Sequence, residues 1–331
     1  MGNLAKKKIE NRSGFKLNHG AIRFVKKHQY RILNESVGGD APKDVIRLYT
    51  YGEVKKVKSA KWKKYIAKVG HKWYPAESIT EHLITFIGKS FNLNIANSKL
   101  IFADGYLRFL SEHFHSEEQS LYHGAEILSS YLNQQDTKMV DTIEAQRKTR
   151  DYFHIQDLFD SLIHIFPNDC EKITDGFVNL LLFDALIGNN DRHFYNWGVI
   201  YHIQNQHVPY FAPIYDTARA LWWNTSEQKI VSLYKENSTN HAAIEKYIFK
   251  KSLPKVGIPN VKDANHFELI KHLKSINFIN EETKTRFKNV SYLEQAKKTI
   301  NKEFSALLSK ERIWLICYTL DLRFNELQKH I

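Results

Sequence analysis

An apolar run, FVNLLLFDALI from Phe177 to Ile187, is interrupted only by Asn179 and Asp184 and passes through Gly188 into the most polar corner of the chain, NNDRHFYNW (189–197). The run falls well short of the roughly 20 residues that a membrane span requires. It therefore reads as a helix buried in a core, with Gly188 as its C-terminal stop. Beyond it, WGVIYHI (197–203), a polar QNQ turn and VPYFAPIYD (208–216) have the alternation of a β-hairpin. A hairpin turns the chain back on itself, so Asp216 should return beside Asp191, His193 and Asn196. An acid able to accept a hydroxyl proton, an asparagine five positions later and a strand-end aspartate are what phosphoryl transfer needs: a positioning base and two oxygen ligands for Mg²⁺. Taken alone, D-x-H-x-x-N is more often a polar turn, so the rest of the chain must decide.

Upstream, SVGGDAPKDVI (36–46) is a Gly-rich turn leading into a strand. Backbone N–H groups in such a loop can surround phosphates, because glycine permits close approach; the plain alternative is a hairpin turn. Lys68 ends YIAK, where a strand lysine could reach between phosphates or be one more solvated lysine. On the following helix, Glu81 could anchor Lys68 as an ion pair, with Glu77 one turn away as the weaker candidate. Each signal is weak singly, but their order along the chain is that of a bilobal kinase.

The periodicities divide the chain in the same way. Residues 1–30 read as a basic, partly ordered arm. Residues 31–114 read as a strand-rich lobe, with DVIRLYTY, KYIAKV, NSKLIF and YLRFL as strands and Ile79, Leu83 and Ile87 marking one helix. Residues 115–331 read as a helical lobe, from AEILSSYL through ITDGFVNLLLFDALIG and HFELIKHLKSI to SALLSKERIWLICYTLDLRF, interrupted by the hairpin. The class is α+β. With 48 Lys+Arg against 36 Asp+Glu, the formal charge of +12 favours anionic partners without choosing among them. Cys170 and Cys317 are too few for a disulfide framework or a Cys-rich zinc site, which points to a reducing cytoplasm. No secretory or lipidation signal stands at the start, and export as a translocated effector is the alternative.

The set S-V-G-G-D-A-P-K, Y-I-A-K, L-I-G-N-N-D-R-H-F-Y-N-W and F-A-P-I-Y-D resembles the HipA-like family of bacterial Ser/Thr protein kinases over residues 31–330. The G-N-x-D-x-H-x-x-N and P-x-Y-D pair is its most specific part. The resemblance implies a two-lobed kinase-like fold using ATP and Mg²⁺. In it, Ser36, Gly38, Gly39, Lys43 and Lys68 lie on the nucleotide, with Glu81 holding Lys68. Asp191 is the catalytic base, His193 an organising member of the catalytic loop, and Asn196 and Asp216 are the metal ligands. Ser36 matches a position that such kinases can autophosphorylate; the alternative for it is a turn residue bonding its local backbone. About 35 residues precede the Gly-rich loop, too few for the extra N-terminal subdomain of full-length HipA proteins. The resemblance is accordingly to the compact class that includes HipT-type toxins and translocated kinases. It implies a protein substrate, an aminoacyl-tRNA synthetase or a host protein, and an antitoxin as a candidate partner.

Two other functions compete. Phosphatidylinositol kinases share the D-x-H-x-x-N pattern and the later Asp, and KKVKSAKWKK (55–64) would suit acidic headgroups as well as it suits a solvated turn. A non-catalytic module binding tRNA or DNA is disfavoured: zinc-finger spacing, RNA-recognition signatures and a helix-turn-helix are all missing from the sequence. Trp222 and Trp223, where an activation segment would lie, are expected to pack rather than to bind substrate.

Overall fold

The computed structural model describes residues 4–5, 8–35, 41–53, 55–204, 207–236 and 241–331. Its strand-rich part is a six-stranded sheet in the order β1-β5-β6-β4-β3-β2. The strands are β1 (Arg23–Phe24), β2 (Tyr30–Ile32), β3 (Lys43–Leu48), β4 (Lys63–Lys68), β5 (Ser98–Ala103) and β6 (Tyr106–Glu112). Between β4 and β5 runs α1 (Ala76–Ser90), whose Ile79, Leu83 and Ile87 are fully buried at the spacing of one helical face. The pleat separates two faces of the sheet. Ile46, Leu48, Tyr65, Ala67, Ile101 and Leu110 form a small core on one side, closed by Leu4. On the other side, the register pairs Lys43 with Lys68 and Val45 with Ile66, and Lys68 with Phe109.

The described residues 4–5 and 8–30 are bound to this lobe rather than trailing from it. The Ala5 amide donates to Asp44 (2.6 Å), and the buried Arg108 guanidinium donates to the Ala5 carbonyl. Further on, the Ser13 hydroxyl donates to the Tyr74 carbonyl ahead of α1, while the Ser13 carbonyl accepts from the Glu227 amide of the helical lobe. The segment thus straps the two lobes together.

The helical part begins with β7 (Gln119–His123), which pairs with β8 (Gly198–His202), itself paired with β9 (Tyr210–Phe211). The expected hairpin is β8–β9, and β7 makes it a three-stranded sheet. Around it lie α2 (Gly124–Tyr131), α3 (Lys138–Ala145), α4 (Thr149–Tyr152), α5 (Ile155–Ile165), α6 (Cys170–Ile187), α7 (Glu227–Glu236), α8 (Ala242–Lys246), α9 (His266–Ser275), α10 (Glu281–Lys288), α11 (Val290–Glu303) and α12 (Lys310–Gln328). The apolar run is the C-terminal part of α6. It is buried apart from Asn179, and Gly188 ends it in the left-handed conformation (φ 69°). Both polar interruptions have partners: Asn179 bonds Thr283 and Arg286 of α10, and Asp184 binds Arg192. The whole is a bilobal, kinase-like α+β architecture. Among the described residues no helix is long and apolar enough to cross a membrane.

Candidate active site

The two lobes meet at Lys68. Its ammonium lies 2.5 Å from Glu81 of α1 and 3.1 Å from Asp216 of the helical lobe. Strand β4 puts Lys68 on the face opposite the buried Ala67, and α1 brings Glu81 to it. Burial alone would lower the Lys68 pKa, but the Asp216 and Glu81 carboxylates outweigh it and hold the ammonium charged. Burial pushes the Glu81 carboxyl up to about 7 against the pull of Lys68, with the Asp216 charge adding to the rise. Asp216 responds in the opposite direction: burial would raise it, yet Lys68 and then Lys43 bring it well below the usual carboxylate range. Glu77 does not share the lysine. Its carboxylate accepts from the Trp73 amide just ahead of its own helix, and burial raises its pKa.

The loop after α6 supplies the other half. Asp184, 1% exposed, receives two bonds from Arg192 (2.8 and 2.9 Å) and one from the Asn189 amide (2.9 Å). Asn189 in turn accepts from the Asp191 backbone N–H. The remaining Arg192 donor reaches the carbonyls of Asn196 (2.6 Å) and Tyr215 (2.7 Å), joining the catalytic-loop candidate to the residue before Asp216. A buried guanidinium with five planar donors is suited to such a junction. Asn196 donates to the Asp191 carbonyl (2.9 Å). The Tyr215 hydroxyl donates to the Tyr195 carbonyl and bonds His123 Nδ1, which gives the tyrosine of P-x-Y-D an anchoring role. Asp216 itself has φ 52°, a left-handed conformation that aspartate tolerates better than most residues.

His193 accepts from the Tyr195 amide through Nδ1 (3.3 Å) and lies 3.6 Å from Glu144 of α3. Burial lowers its pKa, against the charges of Asp191 and Asp216. Burial raises Glu144 to about 7, with Lys255 opposing and the Asp191 charge assisting. Asp191 is held by Arg219 (3.1 Å) and Lys255 (3.7 Å).

The structure therefore gathers Lys68, Glu81 and Asp216 into one cluster, and Asp191, His193 and Asn196 onto an adjoining loop tied to it by Arg192. Lys43 faces the same side of the sheet beside Lys68. Ser36, Gly38 and Gly39 lie outside the described residues. Asp216 and Asn196 offer hard oxygen donors of the kind Mg²⁺ takes alongside phosphate oxygens, and the depressed pKa keeps Asp216 an anion; this donor set fits a Mg²⁺–nucleotide. His113 and His115 lie in the connection between β6 and β7 that joins the lobes, and Phe114 there packs against Tyr215. Trp222 packs: it stacks on Tyr247 at 3.8 Å and donates to Thr319. Trp223 lies under the Arg219 guanidinium.

Sequence reading missed Asp184, Asn189, Arg192, Glu144, Arg219 and Lys255. The first three carried a signal in hindsight: a lone carboxylate in an apolar helix needs a buried partner, and arginine stands within the adjoining polar loop. Glu144, Arg219 and Lys255 come from segments whose approach only the tertiary fold determines.

The family of HipA-like C-terminal domains matches residues 35–294. The chain belongs to that family, and membership supports kinase activity of the HipA-like kind in general. Among solved structures, it is similar to the proinflammatory kinase CtkA of Helicobacter pylori, at 15% identity and a TM-score of 0.69, over 93% of this chain and 97% of the other. It is also similar to the toxin HipA of Shewanella oneidensis MR-1, solved with HipB and operator DNA, at 14% identity and a TM-score of 0.51, over 89% of this chain and 65% of that one. At these identities the likeness is one of fold. Among curated proteins none matches the chain by sequence.

Proposed function

We propose that the chain is an ATP- and Mg²⁺-dependent Ser/Thr protein kinase. The observation that carries this reading is Lys68 held at once by Glu81 and Asp216, with Asp191 and Asn196 on the loop beside them. In this reading Lys68 and Lys43 receive the nucleotide phosphates, and Glu81 keeps Lys68 aimed into the cleft. Asp216 and Asn196 would hold Mg²⁺, which when bound supplies charge neutralisation between phosphates. Asp191 positions the acceptor hydroxyl and accepts its proton, while His193 orders the loop through the Tyr195 amide rather than exchanging protons. Ser36, in the Gly-rich segment, is the proposed site of self-phosphorylation. Its acceptor elsewhere is proposed to be a protein, an aminoacyl-tRNA synthetase or a host protein as the family resemblance implies. A HipB-like antitoxin is the proposed partner, by analogy with the Shewanella complex.

The test is incubation with γ-labelled ATP, Mg²⁺ and a cell lysate, beside vesicles containing phosphatidylinositol. Labelled protein bands that vanish with Asp191→Ala, in a variant that still binds Mg²⁺-ATP, are the expected result. Full transfer by Asp191→Ala would overturn the assignment. Label in lipid alone would favour a headgroup acceptor, for which the exposed Lys55, Lys56 and Lys58 of the β3–β4 connection are the supporting feature.

A further inference from the structure

Asp191 carries two cations from distant segments. Arg219 follows Asp216 by three residues and places Nε 3.1 Å from one carboxylate oxygen; Lys255, ahead of α9, places Nζ 3.7 Å from the other. Their side chains are 37% and 33% exposed, against 18% for Asp191, so the cluster is open to solvent. Two neighbouring cations are far more deeply buried. Lys68 is buried between Glu81 and Asp216, and Arg192 is buried on Asp184 and two carbonyls. Arg219 is steadied by the Trp223 ring, 5.5 Å from its guanidinium, a contact that orients the group while leaving its charge available.

Cations as exposed as these hold a carboxylate only weakly, because water screens the pair. The arrangement becomes productive if the cations move to a stronger anion when substrate arrives. The triphosphate of ATP is such an anion, and its terminal group must come beside Asp191 if that residue is to position the attacking hydroxyl. Resting on the kinase reading above, we propose that Arg219 and Lys255 are further catalytic residues that bind the γ-phosphoryl group of ATP during transfer. The acceptor oxygen bonds to the γ-phosphorus as the bond from that phosphorus to the β,γ-bridging oxygen breaks. ADP departs with the electron pair of the broken bond, and the hydroxyl proton passes to the Asp191 carboxylate and then to solvent. Arg219 and Lys255 neutralise the charge on the phosphoryl oxygens in flight.

The experiment compares Mg²⁺-ATP with Mg²⁺-ADP by titration calorimetry, alongside steady-state transfer, for wild type, Arg219→Ala and Lys255→Ala. Each alanine variant should bind ATP more weakly by about ten- to a hundredfold, the worth of one charge-assisted hydrogen bond. ADP affinity should be unchanged, and kcat should fall by at least as much as ATP affinity. Residues that merely brace the loop would not distinguish the two nucleotides. Equal weakening for ATP and ADP, or an unaltered kcat, overturns the proposal while leaving the kinase reading standing. A wild-type protein that binds neither nucleotide overturns both. Should an alanine variant fail to fold, Arg219→Lys and Lys255→Arg supply the same comparison: a partial loss confined to ATP supports the clamp, and no ATP-selective loss refutes it.

Discussion

Arg192→Met is the most informative single change in this protein. It removes the guanidinium that gives Asp184 two bonds and gives the Asn196 and Tyr215 carbonyls one each. Asp184 would keep only the Asn189 amide while remaining 1% exposed. Breaking a buried pair by deleting one partner costs about 3–5 kcal/mol. Each stranded carbonyl adds up to about 1–3 kcal/mol unless water replaces the lost donor. A loss of about 4 kcal/mol or more is a large part of the roughly 5–15 kcal/mol that holds a folded domain. Asp184→Leu combined with Arg192→Met removes both charges, so most of the stability should return. Activity should not return, because the tether from the catalytic loop to the Asp216 strand end is still missing, and misplacement of about 1 Å can cost on the order of a hundredfold in rate. Urea unfolding followed by tryptophan fluorescence gives the first quantity and phosphate transfer the second. Arg192→Met within about 1 kcal/mol of wild type, or a double variant that regains activity along with stability, would refute the reasoning.

Lys68→Ala and Glu81→Ala should each raise the KM for ATP or collapse the rate, and the double variant should lose less than the sum, since the two side chains are in contact; additive losses would contradict direct pairing. Glu144→Gln should stabilise the protein at about pH 8 by roughly 1–3 kcal/mol and have little effect below about pH 4.5. The sign follows from its raised folded-state pKa, about 7 against an ordinary 4.5: the wild type loses stability as pH climbs between those values and the amide does not, so equal denaturation midpoints at high pH would sink the argument. Gly188→Ala should destabilise by about 1–3 kcal/mol, because φ is 69° and the added Cβ would stand 2.7 Å from Ser252 Oγ; an unchanged melting temperature would show that the α6 terminus relaxes freely.

What could be read from the sequence follows the range of the forces involved. The strands β3 to β6, the helices α1 and α6, and the β8–β9 hairpin are declared by local alternation, helical spacing and Gly188. By contrast β7 is half-buried along its whole length, without the clean alternation of a one-sided strand. Five helices, α2 to α6, separate it from its partner β8 in sequence, and no local pattern encodes that pairing. The strap formed by the described residues before β2 was equally hidden. Its anchors are a buried Leu4, the Ala5 backbone and the Ser13 hydroxyl and carbonyl, and isolated contacts of that kind leave no periodicity.

The candidate site divides on the same line. Asp191, His193 and Asn196 share one loop, and a hairpin is enough to predict the return of Asp216. Lys68 and Glu81 come together because a strand is followed by one helix. Arg219 and Lys255 reach Asp191 from segments that no short-range rule connects to it, and in a chain with 48 Lys+Arg neither stands out by composition. Their selection depends on charge density that exists only after folding. Lys68, Arg192, Arg219 and Lys255 converge where Glu81, Asp184, Asp191 and Asp216 already lie. On the proposed reading such a cluster has two electrostatically balanced states, one with the cations on the carboxylates and one with the more exposed cations on an incoming polyanion. Burial decides which can change partners: Arg192 would strand a buried carboxylate by leaving, at a cost of several kcal/mol, whereas Arg219 and Lys255 are themselves partly exposed and leave a carboxylate that water still reaches. On the proposed reading, solvent exposure separates the structural Arg192 from the cations that answer substrate, a property that residue identity does not reveal.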